Sequence, residues 1–189
     1  MTISAWYMDN EETDQRLPHK TDPVRPVPKQ KLIDLGVLFW ENIQGEDDPK
    51  LAEIKAERGY TYSDVIECCP EKLPGYETKI LNFFEEHIHR DEEIRFCVDG
   101  SGYFDVRDEN DEWIRIELGK GDMIILPEGI MHRYTNDMNN YIKAMRLFVG
   151  EPVWTPYNRN EIADDDDSVV KYKENFIVKN KKAKVEASA

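Results

Sequence analysis

HIHRDEEIRFCVDGSGYFDVRDENDEWIRIELGKGDMIILPEGIMHRYTN, residues 87–136, carries three of the chain's four histidines. It reads as short β-strands joined by tight turns. Side chains on a strand alternate faces with a period of two, so His87 and His89 point the same way. Glu93 shares their parity and Glu92 does not. Asp91 has the right parity too, but it sits beside His89 and would crowd the same edge, so Glu93 is the better partner. Arg95 comes next on that face as a fixed positive charge. Ile94, Phe96 and Val98 occupy the other face and suit packing. Downstream, Gly121-Asp122 forms a turn, residues 123–126 an apolar run, and Pro127-Glu128-Gly129 a second turn. Residues 130–135 then return as a strand with His132 near its middle.

One such histidine alone is more often a hydrogen-bonded core residue than a ligand. H-x-H, a glutamate four residues on and a distal histidine behind a P-x-G turn together favour a metal site. Three neutral imidazoles and one carboxylate would leave a divalent ion with a net charge near plus one and, in an octahedral ion, two free positions. Zinc prefers four-coordination, but the donor set by itself excludes neither zinc nor manganese. No serine or cysteine has a convincing base partner, which disfavours nucleophilic catalysis.

These residues resemble the two motifs of the cupins. The second, G-x5-P-x-G-x2-H-x3-N, is matched at every position by Gly121, Pro127, Gly129, His132 and Asn136. The first is matched by His87, His89, Glu93 and Gly100 but departs six residues before His87, where Leu81 replaces the usual glycine. The resemblance narrows to the acireductone dioxygenases of methionine salvage and covers nearly the whole chain. It is carried by AWYMDN (5–10), DQRLPHKTDP (14–23), LIDLGVLFW (32–40), EEHIHRDEEIRF (85–96), DGSGYFDVRD (99–108), LPEGIMHRYT (126–135) and KAMRLFVGEPVWTPYNR (143–159).

The resemblance implies a mainly β fold, a cupin-type jelly-roll β-barrel (double-stranded β-helix) with several peripheral α-helices. It implies one Fe2+ or Ni2+ held by His87, His89, Glu93 and His132. The implied substrate is the acireductone 1,2-dihydroxy-3-keto-5-methylthiopentene, cleaved with O2. With iron the products would be formate and 2-keto-4-methylthiobutyrate; with nickel, methylthiopropionate, formate and carbon monoxide. Arg95 is the candidate catalytic residue, stabilising charge on the substrate oxygens, with an ion pair to Glu92 or Glu93 as its competing role. Phe83, Tyr134 and Trp154 are candidates for a slot around the methylthio tail, with plain packing as the alternative. Rival readings are another metal-dependent cupin enzyme, an oxygenase or isomerase, and a cupin that binds without turnover.

Outward from this stretch, residues 5–8 read as an edge strand and residues 9–30, with four prolines, as an extended arm containing a structural or solvated His19. A short helix covers 29–35 with Gly36 as its stop. A second is punctuated by Asp48, Pro49 and Gly59. A third is expected from Thr61 or Ser63 to about Cys69, and a fourth from Pro74 towards His87. Asp99-Gly100-Ser101-Gly102 reads as a hairpin turn. Strands at 103–107 and 113–118 pair across a polar turn, and another covers 142–149. Trp154 and Tyr157 close one mouth of the barrel. The acidic run 164–167 lacks the spacing of a calcium loop and reads as a solvated turn. Residues 171–178 add a last strand or helix.

One domain, residues 1–178 with a barrel core at about 86–157, is expected, followed by a disordered basic tail at 179–189. A net charge of −14 argues against nucleic acid or an anionic membrane as partner. No apolar run approaches membrane-spanning length, and the N-terminus lacks signal-peptide features. Cys68, Cys69 and Cys97 do not make an even disulfide framework. The expectation is a cytoplasmic monomer acting on small molecules; a nuclear location rests only on KNKKAK, which is too short to assert it.

Overall fold

The structure, a computed structural model, describes residues 3–163 and 165–180. In chain order the elements are β1 (Ser4–Tyr7), α1 (Lys29–Asp34), β2 (Leu38–Trp40), α2 (Pro49–Arg58), β3 (Tyr62–Cys68), α3 (Tyr76–Phe84) and β4 (His87–Ile88). Then come β5 (Glu93–Arg107), β6 (Trp113–Gly119), β7 (Met123–Leu126), β8 (His132–Asn136), β9 (Ile142–Phe148), β10 (Tyr157–Asn158) and α4 (Asp167–Tyr172), which runs into a π-helical stretch, Lys173–Val178.

The long strand β5 belongs to two sheets. Its first part pairs with β7 and β9, and its second, from Ser101 on, with β6 and β8. One sheet therefore runs β1-β6-β5-β8-β4-β10 and the other β2-β7-β5-β9-β3, all antiparallel. Asp99-Gly100-Ser101-Gly102 is thus not a hairpin turn. A β-bulge between Cys97 and Asp99 and a φ of +76° at Gly100 bend the strand from one sheet into the other. A Cβ at Gly100 would stand 2.3 Å from the Tyr141 carbonyl oxygen, so only glycine fits the corner. The two sheets make the jelly-roll barrel that the cupin resemblance implies.

The expected helix after Thr61 is instead β3, paired with β9 along its whole length from Tyr62↔Phe148 to Cys68↔Ile142. Tyr62, Val65 and Ile66 favour a pleated surface, and β9 offers a free edge to pair with. The Thr61 hydroxyl accepts from the Gly150 amide rather than capping a helix. Cys68 and Cys69 accordingly end a strand, and both are buried free thiols.

The second helix is as its punctuation predicts: Asp48 caps the Lys50 amide and Gly59 closes α2 at φ +71°. Leu51 and Ile54 pack with Ile94, Phe96, Ile125 and Leu147 on the outside of the second sheet. The arm lies across the first sheet. Arg115, fully buried, grips both oxygens of Asp105 at 2.7 and 2.8 Å and donates to the carbonyls of Gln15 and Leu17. His19 is buried between the Asp9 carboxylate and the Asp14 carbonyl, a structural residue.

At the other end Asp166 is not merely solvated: it caps α4 through Ser168 and pairs with Arg90. Asp164 lies outside the described residues. Lys179 and Asn180, expected to be disordered, continue the terminal helix, and Asn180 donates to the Asp34 carbonyl. The rest of the expected tail, 181–189, lies outside the described residues. Among the described residues no helix is long and apolar enough to cross a membrane.

Candidate metal centre

Pairing of β4 with β8 sets His87 directly opposite His132, with ring centroids 4.5 Å apart. His89 follows just beyond the end of β4, its ring 5.0 Å from His87 and 5.4 Å from His132. One ring nitrogen from each lies within 4.8 Å of those of the other two. Glu93 opens β5 and turns Oε2 towards His89 Nε2 at 3.1 Å and His132 Nε2 at 3.7 Å. His87, His89 and Glu93 do not lie along one in-phase strand, as alternation alone suggests. The strand breaks after Ile88, and Glu93 arrives from the other sheet. Asp91 is exposed, and Glu92 turns away to Arg58 and Tyr60.

The hydrogen bonds settle which ring nitrogen carries the proton. Nδ1 of His87 faces the Glu85 carbonyl at 2.6 Å, that of His89 the Thr155 carbonyl at 3.0 Å, and that of His132 the Ile130 carbonyl at 2.9 Å. A carbonyl can only accept, so each Nδ1 is an N–H donor and Nε2 is the nitrogen turned to the site; His89 Nε2 there faces the Glu93 carboxylate, which also only accepts and so favours a proton on it. His132 Nε2 is buried and has no hydrogen-bond partner. Such an orphan costs about 1–3 kcal/mol unless something accepts the lone pair. A divalent cation does so, and the donor set of three imidazoles and one carboxylate fits one.

Charge at the site is arranged to the same end. Burial, and then neighbouring His132, push His87 down to about 3, keeping it neutral. Burial also opposes the charge on Glu93, but Arg95 and the two histidines outweigh it and hold its carboxyl well below the usual range. Burial opposes protonation of His89 as well, but the Glu93 carboxylate prevails and its pKa is raised.

Arg95 Nη2 lies 3.2 Å from Glu93 Oε1, and Nη1 donates to the Ile94 carbonyl. The guanidinium is thus committed to the carboxylate oxygen on the side away from His89 and His132, while still facing the cavity. That cavity, about 270 Å³, opens between the two sheets over His87, His89, Glu93 and His132. Phe83 and Tyr134 line it as an edge-to-face pair, centroids 6.4 Å apart. Tyr134 donates to Asn136 Oδ1, and burial keeps it a neutral phenol. Trp154 lines the same cavity, but its ring contacts are Tyr62, Phe148 and the guanidiniums of Arg95 and Arg146. Tyr157 stacks under Arg90 and is not part of the cavity lining.

Sequence reasoning missed Arg146, which lines the cavity and is held on Asp64 at 2.7 and 2.5 Å. Its parity with Ile142 and Ala144, a charged residue on an apolar strand face, was the available signal. It also missed the apolar lining, Ile66, Cys68, Phe104, Leu118, Ile142 and Ala144, and the Thr155 carbonyl, which leaves no mark in a sequence.

The ARD/ARD' family's sequence model matches residues 4–156. An acireductone dioxygenase of Branchiostoma floridae is 63% identical over 170 residues, 90% of this chain and 95% of that protein. Acireductone dioxygenase 3 of Arabidopsis thaliana is 56% identical over 191 residues, 99% of this chain and 94% of that protein. The solved acireductone dioxygenase of Bacillus anthracis, with a cadmium ion in its active centre, superposes with a TM-score of 0.63 at 23% identity, covering 81% of this chain and 96% of that one. That likeness bears on the fold, while the sequence relatives and the family match bear on kinship: the chain belongs to the ARD/ARD' family, the acireductone dioxygenases.

Proposed function

We propose that this protein is a metal-dependent dioxygenase that cleaves 1,2-dihydroxy-3-keto-5-methylthiopentene with O2 in methionine salvage. His87, His89, Glu93 and His132 would hold one Fe2+ or Ni2+. When bound, the ion supplies the positive charge that holds and polarises the enediolate oxygens, and its identity selects between formate with 2-keto-4-methylthiobutyrate and methylthiopropionate with formate and CO.

The chain's own residues do the rest. Nδ1–H donation to the carbonyls of Glu85, Thr155 and Ile130 turns the three Nε2 atoms towards the site. Arg95 neutralises the outer oxygen of Glu93 and adds positive charge at the wall where an anionic substrate lies. Arg146, held by Asp64, adds a second such charge. Phe83 and Tyr134 with the apolar lining take the methylthio tail and keep water from it.

The observation that carries this reading is the convergence of one ring nitrogen from each of His87, His89 and His132, with the Glu93 carboxylate 3.1 Å from His89 Nε2 and 3.7 Å from His132 Nε2. Its test is metal analysis of the purified protein, then reloading with iron or nickel and following O2 uptake and products with the acireductone. His89→Ala is expected to strip most metal and abolish uptake. Full metal content in that variant, or no uptake by the wild type with either metal, would overturn the reading.

A further inference from the structure

The three imidazoles are aimed by different means. His87 and His132 each bond to a carbonyl two residues back in their own segment. His89 bonds to the Thr155 carbonyl, 66 residues further on. Thr155 belongs to the segment between β9 and β10, which also gives Trp154 and Pro156 to the cavity wall. His89 is therefore only as well oriented as this strap is fixed.

Two features fix it. Pro156 locks its own φ and keeps Thr155 extended. The second is Arg159. Its amide donates to the Glu86 carbonyl at 2.9 Å, and its guanidinium meets Glu86 Oε1 at 2.7 Å and the two Asp111 oxygens at 2.8 and 3.0 Å. Arg107 grips Glu86 from the other side at 2.9 and 3.0 Å. Between these anchors β10 contributes only the pairs Tyr157↔Ile88 and Asn158↔His87. Upstream, Gly150 sits at φ +73°, with open space where a Cβ would stand.

We infer that Arg159 is a positioning residue for the metal centre. It pins the strap so that the Thr155 carbonyl fixes the His89 ring, while the same strap completes the cavity wall. This rests on the ligand reading given above. It has a specific consequence: metal affinity and substrate KM share one anchor, outside the ligand set.

The test compares Arg159→Gln, Arg159→Lys, Pro156→Gly and His89→Ala in the full-length protein. Ni2+ affinity is read by chelator competition, and the Nδ1–H hydrogen bond of each imidazole from 15N-histidine spectra of the apo-protein. Arg159→Gln should weaken Ni2+ binding by about 10-fold, at the lower end of what losing a ligand's outer hydrogen bond costs. It should weaken the Nδ1–H hydrogen bond of His89 alone, leaving those of His87 and His132 unchanged, and should raise KM more than it lowers kcat. Arg159→Lys should recover part of the affinity through Glu86. Pro156→Gly should give the same His89 signature with the ion pairs intact. Wild-type affinity with an unchanged His89 Nδ1–H signal in Arg159→Gln would overturn the inference, as would an equal change at all three histidines, the mark of general loosening. Retained Ni2+ affinity in His89→Ala would instead overturn the ligand reading.

Discussion

At the metal-binding part of the cavity, His87, His89, His132, Glu93 and Arg95 are each fixed in direction by a hydrogen bond or ion pair. Across the same cavity Ile66, Phe104, Leu118, Ile142 and Ala144 offer no polar side-chain atom, and burial pushes the Cys68 thiol up to about 11, so it too stays neutral. One part of the lining specifies directions; the other specifies only a volume. Lone pairs must point, so the polar part tolerates no change of atom type. Apolar contact is non-directional, so the other part tolerates any change that keeps its shape. Damage to the two should accordingly differ in kind: metal and turnover on one side, substrate fit on the other.

The largest effect separating them is loss of a ligand. His132→Ala should lower metal affinity by more than about 1,000-fold, beyond the 10–100-fold of an outer partner. In the wild type, metal at about 1,000 times its Kd should stabilise the fold by roughly 4 kcal/mol, which for a chain of this size is a rise in Tm of roughly 8–16 °C. Calorimetry with and without chelator checks both. A wild-type rise in Tm on loading the His132→Ala variant would break the distinction.

Acid perturbs the polar part of the lining and leaves the apolar part uncharged. His87 is pushed down to about 3 in the folded apo-protein from an ordinary value near 6.5, chiefly by burial. Below 6.5 the unfolded chain binds a proton that the native state refuses, so stability falls as pH falls from about 6.5 towards 3. At about 1.4 kcal/mol per unit, the loss reaches roughly 4 kcal/mol at the acid end and roughly 1 kcal/mol by pH 5.5. Urea titrations of apo wild type and His87→Gln across this range check it: the variant's curve should be flatter. Parallel curves would show that other groups govern the acid limb.

The same division explains what the sequence disclosed. The candidate metal ligands stand out because histidines are rare here and their spacing, with Gly121, Pro127 and Gly129, is distinctive. The second helix was equally legible, since Asp48, Pro49 and Gly59 act locally. The apolar lining was not. Ile66 and Cys68 come from β3, whose pairing with β9 is a long-range event that overrode a helical reading of Thr61 and Ser63. The Gly100 corner was misread for a related reason: a positive φ signals a turn, but whether the strand reverses or changes sheets depends on partners far along the chain. Alternation set Arg95 on the same face as Glu93, yet only the folded structure shows its commitment to that carboxylate.

The smallest expected effect tests the apolar part directly. Ala144 lines the cavity on β9, paired with Ile66 on one side and Cys97 on the other. Ala144→Leu directs three more carbons into a space of about 270 Å³ rather than into packed core. Its folding cost should therefore stay below the roughly 1–3 kcal/mol of overpacking. No hydrogen bond or ion pair at the metal-binding part involves this side chain, so Ni2+ affinity and the histidine tautomers should not move. KM for the methylthio substrate should rise about 10-fold, within the roughly 10–200-fold that one methylene is worth in an apolar pocket, and less for an analogue with a shorter tail. An unchanged KM would show that the tail does not lie against Ala144. A fall in Ni2+ affinity alongside the rise in KM would show that volume in one part of the cavity constrains direction in the other, and the two parts would then have to be treated as one.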